Sequence, residues 1–193
     1  MLKTIPESIQ NQFIYIDNLP YPQQLNCEIL NGEPIWMPVP NMKHQYILSK
    51  LSAVLFNELE DKGRGIVLGA PCNVMLSSWN IVRPDILFVR KNRTGIICKE
   101  IILGSPDIVV EILSVATRER DTKEKKRIYT DSCVPEYWIV DPSAETIEIL
   151  TWSEMGYIST GISDKKYPLS SILLPDLKIS VPGIFNGQSS FDF

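Results

Sequence analysis

The chain has 193 residues, of which 44% are hydrophobic and 22% charged, an ordinary balance for one globular domain with a real core. Its formal net charge of −4 excludes a strongly basic nucleic-acid binder, although an acidic body can still carry a local basic site. No apolar run is long enough to cross a bilayer, and residues 1–20, polar and broken by Pro6 and Pro20, hold no signal-peptide core. The four cysteines, Cys27, Cys72, Cys98 and Cys133, are widely spread and form no Cys-x-x-Cys pair. That spacing argues against zinc and for reduced thiols in a cytoplasmic protein.

In chain order, the first element is a hairpin. Residues 27–30 and 33–37 flank Asn31-Gly32, a strong two-residue turn signal, and Pro34 confines the second strand to an edge. A helix follows over about 41–62, with Asn41 as its N-cap, Leu48, Leu51, Leu55 and Leu59 at helical spacing, and Gly63 at its end. Short strands are expected at 65–68, 73–76 and 81–89, then a mixed loop over 90–106 with a short ordered piece within 96–103. The run 108–113 reads as a strand buried on both faces. A charged helix over about 117–131 leads to a strand at 136–140, which Asp141-Pro142-Ser143 ends. Strands at 146–151 and 157–160 form a C-terminal β-meander. The strand–helix–strand unit of 108–140 predicts a parallel crossover. The expectation is a single α/β domain over 1–193, with its core at about 20–185, a mixed β-sheet flanked by helices, and a loose tail from 186.

The run Ile108-Val109-Val110-Glu111-Ile112-Leu113 places a carboxylate where apolar side chains belong. Burying such a group unpaired costs several kcal/mol, so it must be protonated, paired or metal-bound. A second acid, Asp85, heads the apolar run Ile86-Leu87-Phe88-Val89. Two strand-borne acids in an apolar sheet point to a shared hard cation, Mg²⁺ or Mn²⁺. On the charged helix, Asp121, Lys125 and the pair Ile128/Tyr129 share one stripe, which predicts that Lys125 turns inward toward Glu111. Asp85, Glu111 and Lys125 together suit hydrolysis of a phosphodiester, the lysine orienting or deprotonating the attacking water or stabilising the transition state.

Around that core, several residues have two readings. Glu28 is either a third metal ligand or an exposed hairpin acid. Asp121 is a helix N-cap or a supporting group of the site. His44, the single histidine, shares a helix face with Leu48, Leu51 and Leu55 and reads as a hydrogen-bonded edge residue or a site group. Tyr129 reads as core or as a neighbour of the site. Between 118 and 127 six basic residues, Arg120 among them, face three acids, a modest patch for phosphate contact.

Several motifs carry a family resemblance. They are Arg83-Pro84-Asp85, Pro106-Asp107 running on to Glu111 and Ser114, Arg120-Asp121 with Lys125 and Tyr129, and Val134-Pro135-Glu136-Tyr137-Trp138-Ile139-Val140-Asp141-Pro142. With Glu28 to Glu33, His44 and Leu174-Pro175-Asp176-Leu177, they resemble the Uma2 family over roughly residues 20–185. That family is similar in fold to the PD-(D/E)xK nucleases. The resemblance implies a restriction-endonuclease-like sheet, a Mg²⁺ or Mn²⁺ ion held by Asp85 and Glu111, DNA as substrate and a homodimer. In the wider superfamily a lysine follows the second acid by two positions. Leu113 stands there in this chain, and Lys125 is the natural replacement. The alternative is a catalytically inactive nuclease-fold module, dimeric, used for binding or interaction.

Overall fold

The computed structural model describes residues 26–177 and 179–187. The N-terminal stretch 1–20 and the tail from 188 onward, both addressed above, lie outside the described residues. The hairpin forms as read: β1 (Cys27–Leu30) pairs with β2 (Glu33–Trp36) across Asn31 and Gly32, whose φ values of 53° and 85° are those of the tight primed turns that suit strand twist. Strand β2, with Pro34, lies at a sheet edge.

Helix α1 (Met42–Leu55) is capped by the Asn41 side chain, which accepts the His44 N–H at 2.8 Å, and it runs on as a wide π-type turn over Phe56–Glu60. Its buried face is His44, Ile47, Leu51, Leu55 and Leu59, with Leu48 only partly covered. The expected face of Leu51, Leu55 and Leu59 is therefore the buried one, with Ile47 rather than Leu48 at its centre in the second turn.

Strands β3 (Gly65–Gly69) and β4 (Val74–Ser77) follow. The expected strand at 81–89 divides in two, β5 (Asn80–Val82) and β6 (Ile86–Arg90), and the two halves belong to different sheets. Pro84 lacks an N–H for a ladder, so Arg83-Pro84-Asp85 is the point where the chain crosses over. A 3₁₀ turn over Lys91–Ile96 and the two-residue β7 (Ile102–Leu103) occupy the mixed loop. Then come β8 (Ile108–Ile112), a wide turn over Arg120–Lys125 that continues as α2 (Lys126–Asp131), β9 (Glu136–Asp141), β10 (Thr146–Ser153), β11 (Gly156–Ser163) and the short α3 (Val181–Phe185).

The strands form two sheets rather than one. The smaller has the order β2-β1-β5-β4-β7, the larger β11-β10-β9-β8-β6-β3. Strands β8 and β9 are parallel, with Glu111 opposite Ile139, as the crossover requires. On β8 the side chains alternate. Ile108, Val110 and Ile112 pack under α1, whereas Val109 and Leu113 join Leu30, Val74 and Val82 of the small sheet and Ile128 and Tyr129 of α2. Glu111 shares the second face, so it points into the space between the two sheets and the charged helix.

The segment Val134 to Asp141 anchors that helix and the C-terminal arm. Glu136 is buried, and its carboxylate accepts hydrogen bonds from Trp138 Nε1 (2.9 Å), Ser171 Oγ (2.8 Å) and the Leu173 N–H (2.8 Å). The Tyr137 hydroxyl donates to the Asp121 carbonyl at 3.0 Å, and Arg118 makes a two-pronged contact with Asp141. Replacing Glu136 by alanine leaves three donors without their acceptor, two of them buried and the Leu173 N–H half-buried. We expect a loss of about 3 kcal/mol in urea unfolding and faster proteolysis of residues 169–185, whereas a loss near zero would show that the arm docks by apolar packing alone.

Candidate functional site

The crossing at Arg83-Pro84-Asp85 brings the small sheet against the large one, and acids from both meet there. Glu28 of β1 is fully buried (0% exposed), and its Oε1 accepts the Arg83 N–H at 2.7 Å. Asp85 lies just before β6. Its Oδ2 accepts the Ile112 N–H at 2.7 Å and contacts His44 Nε2 at 3.1 Å. Glu111 is 3% exposed, and its Oε1 accepts the Tyr129 hydroxyl at 2.6 Å. Lys125 arrives from the helix, 0% exposed, and its ammonium bridges the two sheets. It pairs with Glu111 Oε1, with Glu28 Oε1 at 2.8 Å and, at the limit of ionic contact, with Asp121 Oδ1 at 4.0 Å.

The inward stripe of Asp121, Lys125, Ile128 and Tyr129 is therefore present, and it meets Glu111 as expected. The wide turn over Arg120–Lys125 is of a kind that often marks functional sites. Asp121 is not the N-cap. That place belongs to Ser114 and Thr117, whose hydroxyls lie 3.0 Å apart and each accept a backbone N–H of the other residue. Asp121 itself is buried beside the lysine. Glu28 is not an exposed hairpin acid, because β1 is covered on both faces and the carboxylate is spent on the lysine and the Arg83 amide. His44 touches Asp85, and Tyr129 touches Glu111, so each is packed in the core and in contact with an acid of the site.

A cavity of about 230 Å³ opens above these groups. Asp85, Glu111, Lys125, Asp121, His44 and Arg120 reach it, and Glu28 does not. Two segments missed in the sequence make its walls, Met37 to Asn41 on one side and Ser114 to Thr117 on the other. The alternation Pro38-Val39-Pro40 was a legible sign of a rigid surface strap, whereas Ser114 was marked only as the end of the motif that runs from Pro106.

The charges do not balance. Four carboxylates (Glu28, Asp85, Glu111, Asp121) face two permanent cations, Lys125 and Arg120. Burial, reinforced by Asp121, Asp85 and Glu28, pushes the Glu111 carboxyl well above its usual range even against the pull of Lys125. Burial works to strip Lys125 of its proton, but Glu111, Glu28 and Asp121 outweigh it and the lysine's pKa rises. Lys125 is thus a fixed ammonium. For His44 burial is likewise outweighed, by the hydrogen bond and charge of Asp85, and its pKa rises.

This excess of negative charge is what a divalent cation would neutralise. Among the described residues no three His, Cys, Asp or Glu side chains converge as a complete ligand set. Asp85 and Glu111 do line one cleft, and two carboxylates with the other positions left to water are a donor set that Mg²⁺ accepts, since it keeps several waters. The residues present therefore fit such an ion.

Comparison with known proteins agrees with the fold. No curated protein matches the chain. A crystal structure described as a putative nuclease belonging to DUF820, from Anabaena variabilis, superposes with a TM-score of 0.71 over 84% of this chain and 90% of that one, at 18% sequence identity. Among the described residues no helix is long and apolar enough to cross a membrane. Residues 15–182 match the family Uma2, described as "Putative restriction endonuclease", and so the chain belongs to the Uma2 family.

Proposed function

We propose that this protein is a divalent-metal-dependent endonuclease that hydrolyses DNA phosphodiester bonds. The observation that carries this reading is the Lys125 ammonium, fully buried against Glu111 at the floor of a cleft that Asp85 also lines. A site whose acids outnumber its two permanent cations suits a reaction in which a further cation and a phosphate arrive together. Membership of a family described as "Putative restriction endonuclease", and a fold shared with a protein described as a "putative nuclease", support the same reading.

Asp85 and Glu111 would hold Mg²⁺ or Mn²⁺, which when bound would supply charge neutralisation for the phosphoryl oxygens and a water of lowered pKa. The protein's own groups do the rest. The Ile112 N–H and His44 both engage Oδ2 of Asp85, which fixes the carboxylate and leaves its other oxygen for a ligand. The Tyr129 hydroxyl holds Glu111 in the same way. Glu111, Glu28 and Asp121 keep Lys125 protonated. The lysine therefore acts as a donor that orients the attacking water and meets the charge developing on phosphorus-bound oxygen, and not as the base. A homodimer belongs to the same reading, since two sites could then address both strands of a duplex. Strand β11, a sheet edge with Ile158 and Ile162 exposed, offers a surface for it. Four free thiols accord with a reducing cytoplasm.

A second reading has one observation in its favour. Glu111 is already met by Lys125 and Tyr129, an arrangement that would also serve as a purely structural ion pair in a non-catalytic binding module. Metal response separates the two. With Mg²⁺ or Mn²⁺ at one hundred times Kd, the melting temperature of the wild type should rise by the equivalent of about 2.7 kcal/mol, plasmid DNA should be cut, and Glu111→Ala should abolish both. A fold indifferent to either ion leaves the module reading standing.

The raised Glu111 carboxyl gives a pH signature in chelator. Because its folded pKa lies above the ordinary 4.5, the stability it contributes is complete below that value and is lost as pH rises through the folded pKa. The melting temperature of Glu111→Gln minus that of the wild type should therefore grow toward neutral pH. A difference that is flat or shrinks would mean that the carboxylate is favourably charged in the fold.

Replacing Lys125 by methionine strands Glu28 and Glu111, and we expect a stability loss of about 3 kcal/mol in urea unfolding. At saturating Mg²⁺ the cleavage rate should fall by about a hundredfold or more. A folded Lys125→Met protein that cuts DNA at the wild-type rate would remove the lysine from the reaction.

A further inference from the structure

Among the described residues, Arg120 is the cation of the cleft that its acid partners hold most loosely. Its Nε is buried and makes no hydrogen bond. The nearest acid oxygen, Glu28 Oε2, is 3.8 Å away, and it too lacks a hydrogen bond. That gap is too wide for a hydrogen bond and too narrow for a bridging water. The other oxygen of Glu28 is engaged by Lys125 at 2.8 Å and by the Arg83 N–H at 2.7 Å, which holds the carboxylate away from the guanidinium. Among the described residues the outer nitrogens make one hydrogen bond, Nη2 to Met37 Sδ at 3.6 Å, a weak acceptor. Yet the side chain is only 14% exposed and lines the cavity beside Asp121 and Lys125. A guanidinium nitrogen removed from water without an acceptor is an unfavourable state unless a ligand draws the side chain round to supply one.

We infer that Arg120 forms a phosphate subsite of the cleft, binding the non-bridging oxygens of a nucleic-acid phosphodiester. Its planar fork suits two oxygens of one phosphate, which a lysine cannot match. It enters the cleft one helical turn before Lys125, so one helix supplies both the cation that grips the phosphate and the cation beside Glu111. Glu28 then has a second task. It tethers Arg120 loosely enough to release it to the ligand. The inference rests on the nuclease reading only for the identity of the anion.

The test is binding without cleavage. A short fluorescein-labelled oligodeoxynucleotide, single-stranded or as a duplex, is titrated in Ca²⁺ or chelator at several salt concentrations and followed by anisotropy. Arg120→Gln should weaken binding about tenfold regardless of sequence and make the salt slope shallower by about 0.7 for the single strand or about 0.9 for the duplex. Arg120→Lys should restore the slope while recovering only part of the affinity. Melting temperatures show that both variants are folded. Unchanged affinity and slope in Arg120→Gln would overturn the subsite, as would a wild type that binds neither form of the oligonucleotide. Cleavage in Mg²⁺ is scored apart. Arg120-dependent binding without any cleavage sinks the nuclease reading and keeps the subsite, whereas cleavage with Arg120-independent binding does the reverse.

Discussion

The Lys125 ammonium lies where the small sheet, the large sheet and the charged helix meet, and each of them presents it with a carboxylate: Glu28, Glu111 and Asp121. Taking an ion of that size out of water costs several kcal/mol, and the same holds for each acid. No one of the four could be buried alone. Together they form a unit that is stable only when the three elements are docked, so the site and the tertiary fold are one constraint. Removing any member would strand the others in a low-dielectric interior, where an unpaired charge is most expensive.

The apolar core explains why such a unit can be held in place. The central strands β6 and β8 are buried on both faces, under α1 on one side and under α2 and the small sheet on the other. The polar cluster replaces part of the second layer. Segment 134–141 steadies it indirectly: Glu136 fastens the C-terminal arm, Tyr137 holds the helix through the Asp121 carbonyl, and Asp141 grips Arg118 at the helix start. That segment carries the most specific part of the family resemblance, and its contacts are those of a scaffold. The groups that face the cleft come from elsewhere, at strand ends and on one turn of helix.

The charge count also bears on what the cleft can accept. Its four acids and two permanent cations leave it short of positive charge, while burial, reinforced by the neighbouring acids, raises the Glu111 carboxyl and Asp85 raises the His44 ring. A hard cation relieves the first, and a phosphate brought with it would satisfy Arg120. The two absences are of opposite sign and sit in one small cavity. A metal-bound phosphodiester has both signs in the right order, which is why phosphoryl chemistry fits here better than chemistry that needs only an acid and a base.

Much of this was legible in the residues. Hairpin chemistry at Asn31-Gly32, helical spacing beneath Asn41 and the β-rich runs fixed most elements locally, because turn preference and periodicity are properties of a few adjacent side chains. A carboxylate amid Ile, Val and Leu announced itself by its cost, and the stripe through Asp121, Lys125 and Tyr129 followed from helix geometry. What no local signal carried was how distant pieces meet. The run from Ile81 to Val89 reads as one strand, yet Pro84 lets it serve two sheets, and only that crossing sets Asp85 over the cleft and the Arg83 amide on Glu28. Glu28 becomes a lysine partner, His44 a support for Asp85, and Arg120 a guanidinium short of acceptors, for a common reason. Burial and charge pairing are long-range quantities, set by which surfaces close on one another, and a sequence shows each surface without showing its mate.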